Sequence, residues 1–195
     1  MTTATAPAHR SGTARDRLLR AADELFYAEG INTVGIDRVI EHAGVAKASL
    51  YSTFGGKDQL IRAYLLQRHE LRKARVERHQ ARHIDPRDRL LAVFDSYAEA
   101  CADPTYHGCP FLAATGESRT DTTVREIAAV TREFTRDCFR ADVERLGVSD
   151  AEELVGQLAL LYDGVVVGWQ MEADLVTVSR AREMAAVMID RAPRS

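Results

Sequence analysis

At 195 residues with 46% apolar side chains, the chain has material for a sizeable core, in one large domain or a small one joined to a larger one. No run of 18 uncharged apolar residues occurs and no apolar segment follows the N-terminal arginines, so neither a membrane partner nor a signal peptide is expected. The net charge of −3 does not mark the whole as a polyanion binder, yet residues 1–83 hold 14 Lys/Arg against 9 Asp/Glu while 84–195 hold 12 against 20.

Every periodic segment is helical. Residues 14–29 place Leu18, Leu19, Ala22, Leu25 and Phe26 on one stripe, with Thr13 and Asp16 spaced as a capping box and Gly30 as the stop. Residues 36–42 form a short second helix, Gly44 breaks it, and a third runs to about Thr53. Gly55-Gly56 breaks the chain again before a long helix over 57–82, whose arginine-rich stretch 61–83 reads as a solvated face. Asp85-Pro86 supplies an N-cap and a first-turn proline for a helix with Leu90, Phe94, Tyr97 and Cys101 on one side. Pro104, Gly108 and Pro110 mark a loop before a short helix at 110–117. Thr123 with Glu126, and Ser149 with Glu152, are spaced as capping boxes for helices ending near Gly147 and 172. A last helix spans 177–191. The expectation is an all-α fold of about nine helices.

The stretch "VIEHAGVAKASLYSTFGGKDQL" at 39–60 has the layout of a helix-turn-helix. Gly44 can take the left-handed turn conformation, while Val45 and Leu50 anchor the second helix. Lys47, Ala48, Ser49, Tyr51 and Ser52 are then left on an outward face of small and polar groups suited to base edges and phosphates. Lys57 opens the next helix, whose N-terminus also favours phosphate.

"AGVAKASLYSTFGGKDQL" closely resembles the DNA-binding signature of the TetR/AcrR family of transcriptional regulators. That resemblance implies a three-helix DNA-binding domain over 13–56, preceded by a flexible arm at 1–12 and followed by a ligand-binding and dimerisation domain at 57–195. It implies a homodimer on a double-stranded DNA operator, with Tyr51 and Lys57 on phosphates and Gly35 close to the backbone. Val34-Gly35 stand where threonines are common in the family, so only the Gly35 N–H, not a hydroxyl, is available there. Gly55-Gly56 replace the frequent Pro-Ser.

In the C-terminal part, "LALLYDGVVVGW" at 158–169 is apolar all round apart from Asp163 and must be buried on most sides. Twelve such residues with a central acid are too short to span a membrane. Leu154, Leu158, Leu161, Val165 and Gly168, with Met184 and Met188 of the last helix, are the candidate two-fold interface. Phe94, Tyr97, Tyr106, Phe111, Phe134, Tyr162, Asp163 and Trp169 are candidates for an effector pocket, with core packing as the competing reading for each aromatic. Cys109, in "HGCPF" at a helix start, is a candidate pocket residue and a conceivable redox-sensing thiol.

Cysteines 101, 109 and 138 form no CxxC pair, which suits a reduced, cytoplasmic setting. His107 and Cys109 lack further metal ligands nearby, and no cofactor is implied. No GxSxG, HExxH or P-loop pattern supports an enzyme. The leading expectation is a DNA-binding repressor released by an unidentified small molecule. The alternatives are a ligand-independent DNA-binding adaptor and a thiol-based redox regulator acting through Cys109.

Overall fold

The Thr13 hydroxyl accepts from the Asp16 N–H at 3.2 Å, and the Asp16 carboxylate accepts from the Thr13 N–H at 3.1 Å, so the first helix opens on the capping box expected from the spacing. The computed structural model describes residues 12–118 and 121–194, and the expected arm lies outside them apart from Gly12. Among these residues nine helices follow in order: α1 (Ala14–Glu29), α2 (Ile36–Ala43), α3 (Lys47–Phe54), α4 (Lys57–Gln80), α5 (Pro86–Ala102), α6 (Pro110–Glu117), α7 (Thr122–Arg145), α8 (Ala151–Glu172) and α9 (Leu175–Arg191).

The helices gather into two compact units. The first comprises the described part of Met1–Arg68 with Pro110–Ile127, and the second His69–Cys109 with the described part of Ala128–Ser195. This division does not fall at residue 57, the boundary expected from the sequence. It cuts α4 at Arg68 and places α6 with α1–α3. Glu117 at the end of α6 gives the reason: its carboxylate accepts from the Asn32 N–H at 2.9 Å, and its carbonyl accepts from the Asn32 side-chain amide at 2.8 Å.

In the first unit Leu18, Ala22, Leu25 and Phe26 of α1 are buried with Val39 and Ile40 of α2, Leu50 and Phe54 of α3, and Leu60 and Tyr64 of α4. Arg38 pairs with Glu29, and Arg68 grips Asp23 through two hydrogen bonds of 2.6 and 3.0 Å while its guanidinium lies 3.7 Å from the centre of the Tyr27 ring.

The second unit is built around α5, which packs on α9, while α9 also packs on α8. Phe94, Phe139, Tyr162, Leu158, Ala185 and Ile189 form its centre. The carboxylate of Asp142, almost wholly buried, accepts from Arg89 at 2.8 Å, Arg145 at 2.6 Å and Gln80 at 3.3 Å, which offsets the cost of burying a charge.

Two helix starts differ from expectation. Asp121, not Thr123, caps α7, its carboxylate accepting from the N–H groups of Thr123 and Val124 at 2.9 and 3.3 Å. Asp150, not Ser149, caps α8, accepting from the Glu153 N–H. The reason at α8 is tertiary: the Ser149 N–H donates to the Pro193 carbonyl at 2.9 Å, and Val148 bridges to Arg194, which keeps this stretch extended. α8 is also longer than its apolar run, and at 22 residues it is long and apolar enough to cross a membrane. The length argument from the sequence therefore fails. Here α8 is a core helix, with Leu158, Tyr162, Val165 and Val166 buried against the rest of its unit.

Candidate DNA-binding surface

α2 ends where its sequence supplies a glycine. Gly44 has φ 62° and ψ 41°, and its N–H donates to the Glu41 carbonyl while the Val45 N–H donates to the Ile40 carbonyl. This paired closure of the last turn favours glycine because other residues resist positive φ. Arg17 on α1 completes it, donating to the Gly44 carbonyl at 3.1 Å. The turn delivers α3 with Leu50 and Phe54 inward and Lys47, Ala48, Tyr51, Ser52 and Thr53 in solvent, with Ser49 half-buried. Gly55, at φ 76°, then ends α3 by donating to the Tyr51 carbonyl at 2.9 Å.

The outward face is partly prearranged. Lys47 pairs with Asp37 of α2 at 2.8 Å, and hydrogen bonding to that carboxylate, reinforced by its charge, raises the ammonium above its ordinary pKa. The Ser52 hydroxyl donates to the Ser49 carbonyl at 3.1 Å and keeps its lone pairs for another donor. Gly35 caps α2 in an extended conformation with no side-chain hydrogen bond, so no capping side chain claims the first-turn N–H groups of α2. Lys57 is half-buried at the start of α4.

The pocket candidates do not stay together. Phe111 belongs to the first unit, whereas the others belong to the second. Asp163 pairs with Arg132 of α7 on a partly exposed face. Phe134 stacks edge-on with His69, at 5.7 Å between ring centres. Phe94, Tyr97, Tyr106, Tyr162 and Trp169 do cluster, joined by Phe139, the one member that sequence reasoning missed. Tyr162 lies 5.7 Å from Phe94 and 5.6 Å from Tyr97, and Tyr106 lies 4.7 Å from Trp169. Burial pushes the thiols of Cys101 and Cys138 up to about 11 and about 12. Cys109 is half-buried, its N–H donating to the Gln170 side chain at 3.2 Å.

Arg72 and Arg75 correct the reading of 61–83 as a solvated face. Both Nε atoms are shielded from solvent, and Arg72 lies over the Tyr162 ring. No sequence signal separates them from the other arginines of α4.

The interface candidates also divide. Leu154, Leu158 and Val165 are buried in their own unit's core, while Leu161, Gly168 and Met188 are half-buried and Met184 is exposed. A helix apolar on all sides gives no clue to which stripe its own core takes. The stripe left outside on α8 is Leu160, Gly164, Val167 and Met171, with Met184 and Val187 exposed on α9.

Fold and surface together define a helix-turn-helix protein of the kind found in transcriptional regulators. Residues 18–64 match the family described as "Bacterial regulatory proteins, tetR family". The transcriptional activator FasR of Mycolicibacterium smegmatis is 37% identical over 84 residues, covering 43% of this chain and 38% of FasR. The regulator TtgR of Pseudomonas putida is 25% identical over 182 residues, covering 83% of this chain and 82% of TtgR. A TetR-family transcriptional regulator from Streptomyces coelicolor superposes with a TM-score of 0.84 at 29% identity, covering 92% of this chain and 95% of that one. Residues 18–64 therefore carry the likeness to the tetR family, and the chain as a whole shares the fold of a TetR-family transcriptional regulator. All three of these proteins are named as transcriptional regulators or activators.

Proposed function

We propose that the protein is a homodimeric repressor that holds a palindromic operator and is released by a small molecule bound in the second unit. The outward face of α3 carries this reading: Lys47, Ala48, Ser49, Tyr51 and Ser52 stand where a helix entering the major groove needs them. Tyr51 and Lys57 contact phosphates, and the N–H groups after Gly35 take another. One helix of eight residues reads few bases, so two copies on a two-fold axis are needed, with half-sites about 34–36 Å apart or a multiple of that. The exposed stripe of Leu160, Gly164, Val167 and Met171 is the surface the second copy covers, and Gly164 admits close backbone approach.

Selection of bound DNA from a random pool, repeated with a small-molecule panel, tests the whole proposal. A palindrome lost on addition of one compound is expected, and failure to enrich any DNA would sink it. A reporter behind the selected site reads the sign of regulation, since FasR is an activator. Leu160→Glu is expected to give monomers in light scattering. A palindrome indifferent to every compound favours the adaptor, and one lost only on modification of Cys109 favours the thiol sensor.

A further inference from the structure

Arg72 enters the aromatic cluster of the second unit from α4. Its Nη2 donates to the Thr135 hydroxyl at 2.6 Å, and its guanidinium carbon lies 5.1 Å from the centre of the Tyr162 ring. Its Nε is buried without a hydrogen-bond partner among the described residues. The same holds for Nε of Arg75, three residues on, and for Nε1 of Trp169 on α8. A buried donor without an acceptor costs about 1–3 kcal/mol, and more when it is charged.

The charge is unanswered as well. The strongest fields on Arg72 are those of Tyr162, Cys109, Tyr106 and Cys138, all phenols and thiols. Several carboxylates of the same unit are engaged elsewhere: Asp163 with Arg132, Glu99 with Arg78 and His79, and Asp142 with Arg89 and Arg145. Two of the cluster's hydroxyls already donate elsewhere, Tyr106 to Tyr97 at 3.4 Å and Thr135 to the Thr131 carbonyl at 3.2 Å. What remains is a surplus of donors and positive charge between aromatic rings. A carboxylate matches a guanidinium fork in shape and charge, and a planar apolar body matches the rings. A cation would be repelled, and a neutral molecule would leave the charge buried and unanswered.

We propose that this cluster binds an aromatic carboxylate, with the carboxylate on Arg72 and the ring among Tyr97, Tyr106, Tyr162 and Trp169. The inference deepens the effector reading above and rests on it.

The test titrates the full-length protein with 3-phenylpropionate, 3-phenylpropanamide and 3-phenylpropylamine, followed by calorimetry and by the emission of Trp169, the sole tryptophan. The carboxylate is expected to bind at least about tenfold more tightly than the amide, and the amine not at all. Arg72→Met removes that preference and the emission change, whereas Arg132→Gln leaves both. Arg72→Lys, which keeps the charge without the fork, covers the case in which the Met variant does not fold, and is expected to lose affinity severalfold. Equal binding of amide or amine, undiminished binding by Arg72→Met, or no binding of the carboxylate at millimolar concentration overturns the inference. Release of operator by the amide or amine would also overturn it while the effector reading stands. Arg72-dependent carboxylate binding that leaves the operator occupied would sink release and keep this inference.

Discussion

α3 and α8 treat their side chains in contrary ways. The eight residues of α3 bury two apolar anchors and leave a solvent face of lysine, tyrosine and serine. The 22 residues of α8 bury eight side chains and still expose Leu160, Val167 and Met171. A short amphipathic helix states its outward face in its spelling. A long apolar one does not, because the same residue types serve its own core and an outer stripe.

Leu50→Ala strikes the anchored side hardest. Leu50 is fully buried, and its truncation is expected to cost about 3 kcal/mol in urea unfolding, with operator affinity lost. A variant as stable as wild type would show that α3 is not held by this anchor.

Gly108→Ala probes the second unit. Gly108 has φ 104°, and a Cβ there would sit 1.8 Å from Oε1 of Gln170, the acceptor for the Cys109 N–H. Strain and displacement together are expected to cost about 1–3 kcal/mol, read as a lower melting temperature. Adding Gln170→Ala should restore the part due to collision, and no restoration would assign the loss to backbone strain alone.

Tyr51→Ala leaves the fold alone, since the side chain is exposed, and tests the outward face directly. Operator and random DNA should both bind about tenfold more weakly, the mark of a phosphate contact. Loss confined to the operator would move Tyr51 from phosphate to base reading.

Asp37→Asn has the smallest expected effect and the opposite sign. Removing an exposed partner of Lys47 should leave the melting temperature close to that of wild type. DNA affinity should rise severalfold in a gel-shift titration, because the ammonium no longer has to leave a carboxylate and one negative charge is gone from the face. Weaker binding would mean that Asp37 positions Lys47 for DNA.

Most of the helical layout was legible in the sequence because its punctuation is local. Gly44, Gly55, Asp85-Pro86 and the Thr13/Asp16 pair act within one turn of chain, and all four stand where their spacing put them. The misplaced caps at Thr123 and Ser149 each had an aspartate nearby, and for Ser149 the choice was settled by Pro193, a residue 44 positions away. The same limit hid Arg72 and Arg75 among the arginines of α4. What buries them is the aromatic cluster of α5, the 103–109 loop and α8, and no local pattern reports it.

The Lys47–Asp37 pair has a consequence for ion counting. A lysine that moves from water to a DNA phosphate frees a condensed cation from the DNA. One that moves from Asp37 also leaves a carboxylate behind to gather cations of its own. The slope of log K against log salt concentration should therefore be shallower than the number of cationic contacts implies, by up to about 0.9. Asp37→Asn should restore that slope, so the free protein's own counterion becomes visible in a salt titration as well as in the affinity.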